Sequence, residues 1–125
     1  MTKNAIVTDR APRPAGAYSH GVVANGLLFS AGFGPQDPET GEIAATVAEQ
    51  TEQVLRNIEA VLAERGLTMD DVVKVVAYLQ NLKEDFAEYN EVYSRFFTEP
   101  YPVRTTVGAD LYDILVEIDV VAALR

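Results

Sequence analysis

The 125 residues are 48% hydrophobic and 23% charged, an ordinary globular mixture at single-domain size rather than a fibre or a disordered tail. With no Cys and one His there is no disulfide, thiol nucleophile or thiolate metal site, and 19 acidic against 10 basic residues give a net charge of -9 that repels nucleic acid and anionic membrane alike. No apolar run approaches the roughly 18 residues of a membrane span, and Met1-Thr2-Lys3-Asn4 lacks a signal-peptide core, so a cytoplasmic single domain over 1–125 is expected.

Val22-Val23-Ala24, Asn25-Gly26 and Leu27 to Ala31 read as two strands around a type I′ turn, whose two central residues both need positive φ. Asp37-Pro38-Glu39-Thr40-Gly41 follows as a turn. Thr46 and Glu49 form a capping box opening a helix with Val47, Thr51, Val54, Leu55, Ile58, Val61 and Leu62 on one side, and Gly66 marks its stop. Val72 to Leu79, rich in β-branched residues, predicts a central strand covered on both faces.

A second helix is expected from Asn81, with Glu84 completing another capping box and Leu82, Phe86, Tyr89, Val92, Tyr93, Phe96 and Phe97 as its packing side, until Pro100 and Pro102 end it. Val103 to Ala109 and Ile114 to Leu124 predict two final strands joined as a hairpin by a short polar turn. The order is that of an α+β fold: a mixed sheet of five or six strands with both helices on one face.

Alternation places Val116, Ile118, Val120, Ala122 and Leu124 on the helix face of the last strand and Glu117 and Asp119, among Leu115, Val121 and Ala123, on the other. An antiparallel hairpin puts Arg104 opposite Glu117 or Asp119 on that uncovered face, with Thr106 and Gly108 beside it. Such a pair is either a structural ion pair or a carboxylate clamp beside a general acid/base. Arg suits the clamp because its planar fork gives a carboxylate two parallel hydrogen bonds. Apolar neighbours raise the Glu117 pKa towards the range useful for moving protons, while Arg104 pulls it back. The lone His20 reads as a packing or hydrogen-bonding group rather than a base.

Gly16-Ala17-Tyr18-Ser19-His20, Phe29-Ser30-Ala31-Gly32, Asp37-Pro38 to Gly41, Phe86 through Asn90 to Tyr93 with Phe96-Phe97, Tyr101-Pro102-Val103-Arg104 and Val116 to Asp119 occur in order along the chain. In that arrangement the whole chain resembles the RidA (YjgF) family. The resemblance implies a chorismate-mutase-like trimeric fold, a homotrimer whose ligand site lies between adjacent subunits, no cofactor and no metal. It implies hydrolytic deamination of reactive 2-imino or 2-enamino acids to 2-keto acids and ammonia. Arg104 would hold the substrate carboxylate with the backbone near Gly32 and with Thr106. Glu117 would activate water, with Tyr18 in the catalytic set and Asn90 lining the pocket.

The chain departs from the family pattern at Ala17, where Pro is usual, and at Thr106, often Cys. It reads Ala31-Gly32-Phe33 where Ser-Gly-Gln is usual, so Ala31 and Phe33 are expected to reshape the pocket for an altered substrate. Ser30 is expected to point to the other face and not to replace the lost hydroxyl. A non-catalytic small-carboxylate binder is the alternative. A nucleic-acid-acting member is a third reading, against which the net charge of -9 weighs.

Overall fold

The computed structural model describes residues 2–125. Strands β1 (Asn4–Ile6), β2 (Gly21–Ala24), β3 (Leu27–Ser30), β4 (Val72–Leu79), β5 (Val103–Gly108) and β6 (Val116–Ala123) form one mixed sheet in the order β1-β2-β3-β6-β4-β5. Helices α1 (Val47–Ala63) and α2 (Leu82–Ser94) pack together on one face of it. The α+β architecture is therefore as expected, with the short β1 and a 3-10 turn at Met69–Asp71 added.

The β2–β3 turn has φ of 52° at Asn25 and 76° at Gly26, the two positive values a type I′ turn requires. Thr46 caps α1 by accepting from the Glu49 N–H, but its own hydroxyl donates to the Glu49 carboxylate, so that carboxylate does not close the expected box on the backbone. Past the helix end Gly66, at φ 69°, turns the chain so that the Leu67 N–H reaches the Leu62 carbonyl. The second expected box is absent. Asn81 occupies the N-cap of α2 without any side-chain capping bond, so that helix start depends on packing of its apolar side.

The core lies between sheet and helices. Val54, Leu55, Ile58, Val61 and Leu62 of α1 meet Val116, Ile118, Val120 and Ala122 of β6, and all are buried. The alternation read for the last strand is thus correct, save that Leu124 lies beyond its end.

Two expectations are corrected. β5 and β6 do not form a hairpin: β5 runs parallel to β4 at the sheet edge, and β4 lies between β5 and β6. The chain from Ala109 to Leu115 crosses past β4, because β4 bonds to β6 through one edge and leaves its other edge for β5. In addition, β4 is buried on one face only within this chain: Val75, Ala77 and Leu79 are covered, while Lys74 is exposed and Val76 and Tyr78 are half-buried. Both helices lie on the same side of the sheet, so among the described residues no helix covers the other.

Candidate functional site

The parallel β4–β5 register decides where Arg104 points. It pairs Val75 with Arg104 and Ala77 with Thr106, and neighbours across adjacent strands share a face. Since Val75 and Ala77 face the helices, so do Arg104 and Thr106. On the far side of β4 the register pairs Tyr78 with Glu117 and Val76 with Asp119, which lie on the open face. Arg104 and Glu117 consequently occupy opposite faces of one sheet, and no small ligand can touch both within one chain. The expected cross-strand pair, and with it any pull of Arg104 on the Glu117 pKa, is overturned by the parallel edge pairing.

The first cluster surrounds Arg104 at the edge between β5 and α2. Its Nη1 donates to Asn90 Oδ1 at 2.8 Å, and its guanidinium carbon lies 4.6 Å from the Tyr93 ring centre, 5.7 Å from Tyr89 and 5.8 Å from Phe86. These contacts fall within cation–π range. The Tyr89 and Thr106 hydroxyls hydrogen-bond at 3.1 Å. Burial pushes Tyr93 up to about 12 and raises Tyr89 as well, so both remain phenols at neutral pH and neither is a base. Beside the guanidinium lies a cleft of about 310 Å³ lined by Asn90, Tyr93, Phe97, Tyr101, Pro102 and Arg104 among others.

The second cluster surrounds Glu117 on the open face. After β3 the chain leaves regular pairing, and Phe33 re-enters it through reciprocal backbone bonds with Ile118 at 2.8 and 3.1 Å. That bridge lays Gly32 directly against Glu117. A Cβ on Gly32 would lie 2.5 Å from the Glu117 carboxylate, so a side chain is incompatible with the carboxylate where it stands. Partial burial first, and then the neighbouring Asp119 charge, raise the Glu117 pKa. Asp119 is raised too by its own burial, with Lys74 opposing. The Gly32 N–H has no hydrogen-bond partner among the described residues, which leaves a donor beside a carboxylate that accepts protons more readily than an ordinary Glu.

The remaining expected residues divide. Tyr18 is 50% exposed and its hydroxyl accepts from the Ala15 N–H at 3.0 Å, keeping its own proton free to donate. Ala31 is half-buried and its N–H donates to the His20 carbonyl at 2.9 Å. Phe33 does not line an open pocket: it is buried on the helix side and stacked 5.8 Å from His20, because its pairing with Ile118 gives it that strand position's core-facing direction. Ser30 Oγ is also engaged internally, donating to the Ala31 carbonyl and accepting from the Val120 N–H at 2.9 Å. His20 is a buried tether, its Nδ1 accepting from the Thr8 N–H and its Nε2 donating to the Pro12 carbonyl at 2.7 Å.

Sequence reasoning assigned Phe86, Tyr89 and Tyr93 to packing alone and missed their contact with Arg104. Their spacing, which puts three aromatic rings on one side of a helix, was the available signal. Among the described residues no group of three His, Asp or Glu could hold a metal ion, and no helix is long and apolar enough to cross a membrane.

A mixed six-stranded sheet with two helices on one face, a carboxylate-free arginine on that side and a desolvated glutamate on the other, defines a small α+β protein with a divided polar site. Residues 8–124 match the family model described as Endoribonuclease L-PSP, and the chain belongs to this family, which includes the YjgF, RidA and RutC proteins. A RutC family protein of Pyrococcus abyssi is 45% identical over 125 residues, covering 98% of each chain. An Escherichia coli protein named as a candidate reactive intermediate deaminase, TdcF, is 38% identical, with 96% of each covered. The crystal structure of E. coli TdcF with bound serine matches with a TM-score of 0.91 at 36% identity, covering 98% of this chain and 99% of that one. RidA from a Psychrobacter species matches equally well, at 0.91 and 36%, with 97% and 99% covered. Reactive intermediate deamination is thereby supported at the level of the family.

Proposed function

We propose that this chain is a cytoplasmic, cofactor-free homotrimer that hydrolyses reactive 2-imino or 2-enamino acids to 2-keto acids and ammonia. The observation that carries the reading is the division of the polar groups: Arg104, Asn90 and Thr106 on one face and Glu117 with Gly32 on the other. A second copy laid on the open face would bring the arginine cluster of one subunit to the glutamate cluster of the next. It would also cover Val76 and Tyr78, which this chain leaves half-buried.

In such a cleft the Arg104 fork holds the substrate carboxylate in the plane of the guanidinium. Glu117 takes a proton from water as its oxygen attacks C2, and the C=N electron pair moves to nitrogen, which is protonated. Collapse of the resulting carbinolamine breaks the C–N bond. The hydroxyl proton passes through Glu117 to nitrogen, which leaves as ammonia with that bond's electrons while the oxygen lone pair closes the C=O of the 2-keto acid. A carboxyl held above its usual range suits both steps, since it must accept a proton and return it. Tyr18, with a free phenolic proton, is a donor to the substrate from the pocket rim.

The test pairs calorimetry against a product-like 2-keto acid with a coupled assay of imine disappearance. Arg104→Ala should abolish binding and turnover, a loss on the order of 3 kcal/mol or more for a charge-assisted bidentate contact in a partly dry cleft. Glu117→Gln should lower turnover by roughly 100-fold or more while retaining 2-keto acid affinity. Binding without wild-type turnover would instead support a non-catalytic carboxylate binder. Unchanged behaviour in both variants would remove the site. The net charge of -9 predicts no useful RNA affinity at physiological salt.

A further inference from the structure

We infer that Asn90, Tyr93, Tyr89 and Phe86 are positioning residues forming an uncharged seat for Arg104, which fixes the guanidinium without spending its charge before substrate arrives. The inference rests on the reading of Arg104 as the carboxylate anchor. In a chain with 19 acidic residues against 10 basic ones, a bare arginine finds a carboxylate easily. Arg10, Arg56, Arg95 and Arg125 do so; among the described residues Arg13 and Arg65 also form no ion pair, but neither rests on an aromatic ring or a side-chain acceptor as Arg104 does. No carboxylate lies within ion-pairing distance of Arg104 among the described residues; its side-chain partner is the neutral amide oxygen of Asn90.

The three rings complete the seat. The guanidinium carbon stands 4.6 Å from the Tyr93 ring centre, and Tyr93 is itself braced against Phe97 at 4.5 Å. Tyr89 and Phe86 flank it at 5.7 and 5.8 Å. An aromatic face attracts a cation through its quadrupole and leaves the formal charge in place. The amide fixes one nitrogen, which limits rotation of the flexible side chain and leaves other donors of the fork for the incoming anion. A carboxylate in place of the amide would hold Arg104 more strongly and compete with substrate for it. Neutrality at position 90 is therefore a requirement of binding, not of folding.

The test uses Asn90→Asp, Asn90→Ala, Tyr93→Phe and Tyr93→Leu in the full chain, with calorimetry against 2-oxobutanoate, steady-state kinetics and thermal unfolding. Asn90→Asp should weaken binding by at least about 10-fold without loss of stability, through internal competition for Arg104. Asn90→Ala should weaken it less, by about 3-fold, since the guanidinium is loosened but stays unpaired. Tyr93→Phe should bind like wild type, while Tyr93→Leu should raise KM about 10-fold with kcat changed by less than about 3-fold. The Arg104 Nε–H resonance should lose its ring-current shift in Tyr93→Leu and keep it in Tyr93→Phe.

If Tyr93→Leu does not fold, the near-isosteric Asn90→Asp carries the decision alone. An Asn90→Asp protein that binds as tightly as wild type overturns the seat while leaving the anchor intact. A wild-type protein that binds no 2-keto acid overturns the anchor and the seat together.

Discussion

Replacing Gly32 by Ala tests the role of Glu117 without touching Glu117. The added methyl would stand 2.5 Å from Oε2, 3.2 Å from Cδ and 3.5 Å from Cγ of that side chain. Non-bonded heavy atoms settle at roughly 3.5 Å, so the carboxylate must retreat by about 1 Å. The backbone need not move, because Gly32 lies outside the left-handed region where Ala is strained, and the obstructing atoms are the far end of a flexible side chain. The effect on stability should therefore stay within about 1 kcal/mol. A displacement of that size in a group that holds and deprotonates water is expected to lower kcat by up to roughly 100-fold, with 2-keto acid affinity less affected because Arg104 is untouched. Kinetics on 2-imino acids generated in situ by an amino acid oxidase, with unfolding curves alongside, measure both. Full kcat in a folded Gly32→Ala protein would refute the reasoning, since it would show that the position of the Glu117 carboxylate does not matter.

The raised pKa of Glu117 has a consequence for stability: the folded chain holds that proton more tightly than the unfolded chain, so its contribution is present in acid and is lost as pH rises through the raised value. Glu117→Gln should accordingly gain stability relative to wild type as pH increases from the ordinary carboxylate range through that window, followed by urea titrations at several pH values, and a pH-independent difference would contradict this. His20→Leu leaves the buried Thr8 N–H and the Pro12 carbonyl without their partner, which should cost roughly 2–4 kcal/mol in chemical unfolding while turnover per folded molecule is unchanged; a selective loss of turnover would make His20 more than a tether.

Local chemistry made much of the fold legible. Asn25-Gly26 specified its turn because few residues tolerate two successive positive φ values, and the strict alternation from Val116 to Ala122 announced one buried face. The final pair of strands was misread because a short polar link between two apolar runs is the same signal whether the second strand turns back beside the first or passes one strand further on. Only the tertiary competition for the edges of β4 separates the two outcomes. That single misreading carried Arg104 to the wrong face. Arg104, Glu117, Asn90 and Thr106 were nevertheless singled out by resemblance as candidates, whereas Phe33 was not separable from a pocket residue until its bridge to Ile118 was seen. The uncharged surroundings of Arg104 were beyond reach, since they depend on how α2 lies along the edge strand.

The strand order also dictates when the sheet can exist. β6 follows the other five strands of the sheet along the chain, yet it sits inside the sheet, joined to β3 on one side and β4 on the other. Until it arrives, the nascent chain holds two separate pieces, β1-β2-β3 and β4-β5, and α1 has lost the apolar strip of Val116, Ile118, Val120 and Ala122 against which it packs. The link between those pieces spans most of the chain, and such distant pairings are slow to form. Closure of the sheet thus waits for β6, with apolar strands exposed until then, and a lesion in β6 acts on the whole sheet rather than on its edge.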